Sequence, residues 1–323
     1  MFRTAITHIE NDYRFDLSAK ILSMGSCFAE NIGDRLAKFK FDTHINPGGI
    51  LFNPISIFES IIMSIDDQKL PSESYVQNER THYNYKFHSS INGATKTALD
   101  KAISQVRLKI KEHISNSDYL IITFGTAWIY ELESSNLLVA NCHKVPQKKF
   151  RKRLLSVPEI QAKFSQLKTT LQKQNPELEI ILTVSPIRHT REGLTNNGLS
   201  KAILRLACNE LCQDSKRVNY FPAYEIMMDD LRDYRFYEKD MIHPNEQAQD
   251  YIWDFFCKTY LSEAALNFTS EWQHILNTMQ HRPFQPKSTE HQAFLKSTLE
   301  RIKKLSTLVN TENEIDQIKK QII

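Results

Sequence analysis

The chain has 323 residues, 41% of them hydrophobic, and 41 Lys and Arg against 38 Asp and Glu leave a formal charge of +3. That size and apolar content suit one large globular domain with an appendage, and the near-balance of charge argues against nucleic acid as a general partner. No segment approaches the roughly 18 apolar residues of a membrane span, and residues 1–10 carry one basic residue without a sustained apolar stretch, so a cytoplasmic protein with no membrane span is expected.

The run Ile21-Leu22-Ser23-Met24 reads as a strand and opens onto Gly25-Ser26-Cys27-Phe28-Ala29. Phe28, Ile32, Leu36 and Phe39 then recur every three or four residues, as on the apolar face of a helix. Asn46-Pro47-Gly48-Gly49 through Pro54 reads either as a simple connection or as a loop where backbone approaches something closely, and residues 66–95 look like an insertion with short strands. A helical spacing from Leu99 to Ile114 stops at Asn116-Ser117-Asp118, and residues 119–124 form a buried strand ending at Gly125-Thr126-Ala127-Trp128. A helix marked by Ile160, Phe164, Leu167 and Leu171 stops before Asn175-Pro176, and a strand over 178–185 runs into Pro186-Ile187-Arg188-His189. Another helix, roughly 199–212, and the segment 218–224 lead to Asp240-Met241-Ile242-His243-Pro244 and a helix carrying Ala248, Ile252, Phe255 and Phe256. Strand and helix alternate throughout, which predicts a mostly parallel sheet with helices on both faces over residues 1–260. Residues 261–323 form a C-terminal helical appendage of two amphipathic stretches, 261–279 and 294–322, separated by Arg282-Pro283-Phe284-Gln285-Pro286. The second has an imperfect heptad of the kind that packs on the domain or on a second copy, so a homodimer through these helices is one expectation.

In open α/β sheets ligands gather beyond the carboxyl ends of the strands, where Ser26, Cys27, Gly125 and His189 all fall. A nucleophile at a strand-to-helix turn sits beside the helix N-terminus, whose N–H groups and partial positive charge stabilise a thiolate or an oxyanion and should lower the Cys27 pKa. Acyl transfer also needs a base and a carboxylate to orient it, and Asp240 and His243, three positions apart, can supply both. His143 and His189 each read as a second base, a substrate contact or a packed histidine. The five cysteines, Cys27, Cys142, Cys208, Cys212 and Cys257, fit reduced thiols, and their spacing supports no metal site. Lys144, Lys148, Lys149, Arg151, Lys152 and Arg153 form either a solvated face or a rim for an anionic substrate.

On Gly25-Ser26-Cys27-Phe28-Ala29, Asn46-Pro47-Gly48-Gly49, Phe124-Gly125-Thr126-Ala127-Trp128, Asn141-Cys142-His143-Lys144, Ser185-Pro186-Ile187-Arg188-His189 and Asp240-Met241-Ile242-His243-Pro244, the chain is identified as a member of the GSCFA family. That family resembles the GDSL/SGNH hydrolase superfamily. The resemblance spans about residues 20–260 and implies a three-layer α/β/α flavodoxin-like fold with ester hydrolysis or acyl transfer through a nucleophile-His-Asp arrangement. It puts Cys27 at the nucleophile position and Ser26 where an Asp is usual, and either Cys27 or Ser26 can be the attacking group. The superfamily's Gly-x-Asn is matched by Gly125-Thr126-Ala127, so one oxyanion donor is missing. The Cys27 backbone, Gly48 or Gly49, the Thr126 hydroxyl and Asn141 are candidate replacements, and Gly125 is grouped with them as an oxyanion or substrate contact. The expectation is a cofactor-free, metal-free hydrolase or acyltransferase acting on an acylated carbohydrate or related small ester. The altered nucleophile and missing amide support the alternative, a non-catalytic carbohydrate-binding module on the same fold.

Overall fold

The computed structural model describes residues 4–7, 13–281 and 283–322; Arg282 and much of the N-terminal decapeptide lie outside them. In chain order, β1 (Lys20–Gly25), α1 (Cys27–Lys38), β2 (Asp42–Ile45) and α2 (Pro54–Ile65) precede the hairpin β3 (Tyr75–Asn78) and β4 (Thr81–Asn84). Next come α3 (Lys96–Asn116), β5 (Tyr119–Phe124), β6 (Trp128–Leu132), β7 (Leu138–Val139), β8 (Phe150–Leu154), α4 (Val157–Gln174) and β9 (Glu179–Val184). Then follow α5 (Leu194–Gln213), β10 (Val218–Phe221), the single turn α6 (Ala223–Glu225), α7 (Glu246–Tyr260), α8 (Glu263–Gln280), α9 (Thr289–Leu305) and α10 (Glu312–Lys319).

Local chemistry sets several of these boundaries. Asn53 caps α2 by accepting the Ser56 N–H at 2.9 Å, with Pro54 at the first helical position. Ser156 and Glu159 close a capping box at the start of α4. The cores of β1, β5 and β9 are apolar and buried on both faces, as strands inside a parallel sheet must be.

The central sheet has the order β10-β9-β5-β1-β2, with β1/β5, β5/β9 and β9/β10 parallel. Strand order reverses between β1 and β5, so a crevice opens at their carboxyl ends. Leu22, Met24, Leu120, Ile122, Phe124, Leu182 and Val184 point to one face and share a core with α2, α3, α4 and α5. The opposite face carries Ser23, whose hydroxyl donates to Ala29 O of α1 at 2.8 Å, and α7 is tied to α1 by an Asn31–Gln249 hydrogen bond. This is an α/β fold consistent with three layers, as expected from the alternation of strand and helix.

A three-stranded antiparallel sheet, β7-β6-β8, was not expected. Its strand β8, Phe-Arg-Lys-Arg-Leu, takes in the end of the basic run, and its period-2 signal is hidden because Lys152 interrupts the apolar face of Phe150 and Leu154. Arg151 and Arg153 pair with Glu131, Arg153 also with Glu159, and Lys152 with Glu192. These three cations of the predicted rim are therefore neutralised in place.

The described residues divide into two compact units. One holds 4–7, 20–34 and 43–255, and the other 13–19, 35–42, 256–281 and 283–322. The second unit thus takes up two segments that the sequence reading assigned to the domain before residue 260. Their apolar side chains complete its core: Phe15 meets Phe41 edge-on at 5.8 Å, and the buried Trp272 donates its indole N–H to Lys38 O at 2.9 Å. The amphipathic stretch read over 294–322 is two helices, broken where Ser306 and Thr311 hydroxyls bond each other at 2.7 Å. Leu295, Ile302 and Ile318 of its apolar stripe are buried.

Candidate active site

The site is built where β1 hands over to α1. Gly25 has φ +136, and a Cβ there would lie 2.2 Å from Thr123 O, so only glycine fits the turn. Asn46 pins it from the following loop: its Oδ1 accepts the Gly25 N–H at 2.8 Å, while Leu51 N–H donates to Gly25 O at 3.0 Å. The two candidate nucleophiles have different surroundings. Ser26 is 1% exposed and its hydroxyl is buried without a hydrogen-bond partner among the described residues. Cys27, the first residue of α1, is half-buried. Burial raises its thiol pKa above the ordinary value and nearby Glu30 adds to this, outweighing the lowering by its own backbone N–H. The expected lowering by the helix N-terminus is thus overturned, because desolvation is the larger effect.

Asp240 and His243 form the pair anticipated from their spacing. His243 Nδ1 lies 2.6 Å from Asp240 Oδ2, and Asp240 Oδ1 accepts the backbone N–H groups of Ile242 and His243 at 2.9 and 3.0 Å. The His243 backbone N–H, then its ring, then the Ile242 N–H lower the Asp240 pKa to about 2. An ionised Asp240 accepts the Nδ1 proton and leaves Nε2 as the free base. Met241, between them, adopts φ +59, which turns the loop so that both side chains meet.

His189 is the third member of this neighbourhood. A Cβ on Gly125 would come within 3.1 Å of both His189 Nε2 and Ser26 Cβ, so the absence of a side chain at Gly125 lets these groups converge. The ring packs edge-on against Phe52 at 5.5 Å, Asn197 Oδ1 accepts its backbone N–H at 2.9 Å, and Nε2 is buried without a partner among the described residues. Burial, then the charges of Lys201 and His243, lower the His189 pKa to about 4, so it is neutral at pH 7.

Most of the candidate oxyanion donors are already engaged. Gly49 N–H donates to Asn46 O at 2.8 Å, and Gly125 and Thr126 N–H both donate to Phe52 O, at 2.8 and 3.1 Å. The Thr126 hydroxyl accepts from Trp128 N–H and bonds Ser200. Asn141 accepts the His143 N–H at 2.9 Å in a local turn, so its amide shapes the loop. His143 is a packed residue: it is stacked on Tyr83 at 4.6 Å, its Nε2 donates to Asn84 O at 2.9 Å, and burial lowers its pKa. Of the candidate donors, these contacts leave the Cys27 N–H at the N-terminus of α1 and the Gly48 N–H.

The GSCFA family model matches residues 20–256, and the model for the C-terminal domain of GSCFA domain proteins matches 272–323. The chain belongs to the GSCFA family. No curated protein matches it. In this GSCFA chain the structure adds residues that sequence reasoning passed over. Lys201 is fully buried, with Nζ donating to Gly125 O at 2.8 Å and Ser185 O at 2.7 Å. It ties together the carboxyl ends of β5 and β9. Its signal was present in the sequence: Asn197, Ser200 and Lys201 share the spacing of the buried face that Leu204, Cys208 and Leu211 continue.

Proposed function

We propose that this GSCFA protein hydrolyses an ester, or transfers its acyl group, through Cys27, His243 and Asp240 in an SGNH-like site. The observation that carries the reading is the Asp240–His243 pair, a 2.6 Å contact whose carboxylate is fixed by two backbone N–H groups. Such a pair orients an imidazole as a general base. The raised Cys27 pKa makes that base necessary, because the thiol is protonated at neutral pH.

In the first step His243 Nε2 takes the Cys27 proton as Sγ bonds the ester carbonyl carbon and its oxygen becomes an oxyanion at the α1 N-terminus. Collapse breaks the ester C–O bond, and His243 returns the proton to the departing alkoxide. Water or an acceptor hydroxyl, deprotonated by His243, then attacks the thioester, and the proton passes to the leaving Cys27 sulfur. Ser26, buried beneath Gly125, is left to pack the turn.

Hydrolysis of a short aryl acetate by wild type, Cys27→Ala, His243→Ala and Ser26→Ala tests this. The first two variants should lose about 10²-fold or more in kcat/KM. Ser26→Ala should remain within about tenfold of wild type, since its hydroxyl makes no hydrogen bond. Equal rates in all four proteins would remove the catalytic reading in favour of a carbohydrate-binding module.

A further inference from the structure

A cavity of about 360 Å3 is lined in part by Thr126 and by His189, the ring that meets Ser26 across Gly125. One wall is the β7-β6-β8 sheet. Trp128 and Tyr130, two residues apart on β6, face the same way, and Lys152 stands opposite Tyr130 with Nζ 5.1 and 5.3 Å from the two ring centres. The other wall is the loop after β9, carrying Arg188, Arg191 and Glu192. Glu192 is ion-paired with Lys152, and Arg188 lies over the Tyr237 ring at 4.3 Å. Arg191 has no hydrogen bond or ion pair among the described residues. It is near enough to Lys152 to reinforce the lowering of that amine's pKa by burial. Three cations thus surround one carboxylate, in a cavity whose volume falls in the range of small-molecule sites.

We propose that this cavity is the subsite for an acidic sugar unit of the substrate, a pyranose bearing one carboxylate. The carboxylate would take the planar fork of Arg191 in a bidentate pair, the ring would lie against the aromatic wall, and Glu192 would accept from ring hydroxyls. A singly charged group fits better than a phosphate dianion, because Glu192 on the same wall repels a second negative charge. The placement next to the scissile ester rests on the esterase reading, whereas the binding itself needs no turnover.

D-Glucuronate titrated into the full chain tests this by tryptophan fluorescence and calorimetry, because Trp128 lines the cavity while Trp253 and Trp272 are buried. Glucuronate should bind saturably and at least about tenfold tighter than D-glucose or inorganic phosphate, and Arg191→Ala or Arg191→Gln should remove that advantage. Arg191 is exposed, so both variants should keep the wild-type circular dichroism. Glucose or phosphate binding as tightly as glucuronate, unchanged affinity in the folded Arg191 variants, or no saturable signal would each overturn the proposal. Intact glucuronate binding without aryl acetate hydrolysis would sink the esterase reading alone, and hydrolysis without glucuronate binding would sink the subsite alone.

Discussion

At the scale of single residues, the turn between β1 and α1 depends on what Gly25 lacks. Its φ of +136 and the 2.2 Å approach of Thr123 O leave no room for a methyl group, and the obstructing atom is backbone inside a paired strand. Gly25→Ala should therefore cost about 3 kcal/mol of stability, since a strained dihedral and a clash coincide. Urea unfolding monitored by circular dichroism checks this, and a variant within about 0.5 kcal/mol of wild type would show that the turn can relax. The same turn gives the two neighbouring side chains different surroundings. Ser26 points into the interior beside Gly125, while Cys27 begins the helix and keeps partial access to solvent.

At the scale of elements, α5 acts as the tie between two strand ends. A neutral amine on Lys201 has two N–H groups, which match Gly125 O and Ser185 O one to one, whereas an ammonium would carry a third donor into a fully buried place. Burial accordingly lowers its pKa from 10.5 to about 7. Between these values the unfolded chain binds a proton that the native chain does not, so this group makes stability rise with pH across the window, and its penalty is fully present below pH 7. Lys201→Met should flatten that rise. Denaturation free energies at several pH values from 7 to 10 for both proteins provide the comparison, and equal slopes would show that Lys201 is charged in its buried place.

At the scale of the whole molecule, the second compact unit is discontinuous in sequence. Phe15 exchanges backbone hydrogen bonds with the chain after α7, donating to Tyr260 O at 2.8 Å and accepting from Ser262 N–H at 3.1 Å. Lys40 pairs with Glu314 at 2.7 Å, and Trp272 caps Lys38 O. A chain cut after residue 260, the boundary drawn from sequence, keeps Tyr260 but loses Ser262, Glu314 and the fully buried Trp272, and with them part of the core that holds this unit together. That fragment should bind a hydrophobic dye and be cleaved by protease at least about tenfold faster than the full chain, as expected when core surface is exposed. Equal protease resistance would show that the first 260 residues stand alone.

Sequence by itself determined the elements whose hydrophobic period is strong. Residues 119–124 are a strand to the residue, the helix ending at Asn116 is in place, and the Gly-Ser-Cys turn lies where a strand hands over to a helix. The Asp240–His243 pair was also legible, because three-residue spacing on a turn is a local property. Strand β8 was hidden by charge on both faces, and Lys201 was passed over because lysine ordinarily prefers solvent, although its place on the buried stripe of α5 is legible in the spacing. Only the tertiary structure decided which of the candidate backbone donors are already engaged. Phe52 O takes two of the candidates and Asn46 O a third, across sequence separations that no local pattern records. It also decided the sign of the Cys27 shift. A helix N-terminus can be read from the sequence, but desolvation depends on everything packed around the thiol.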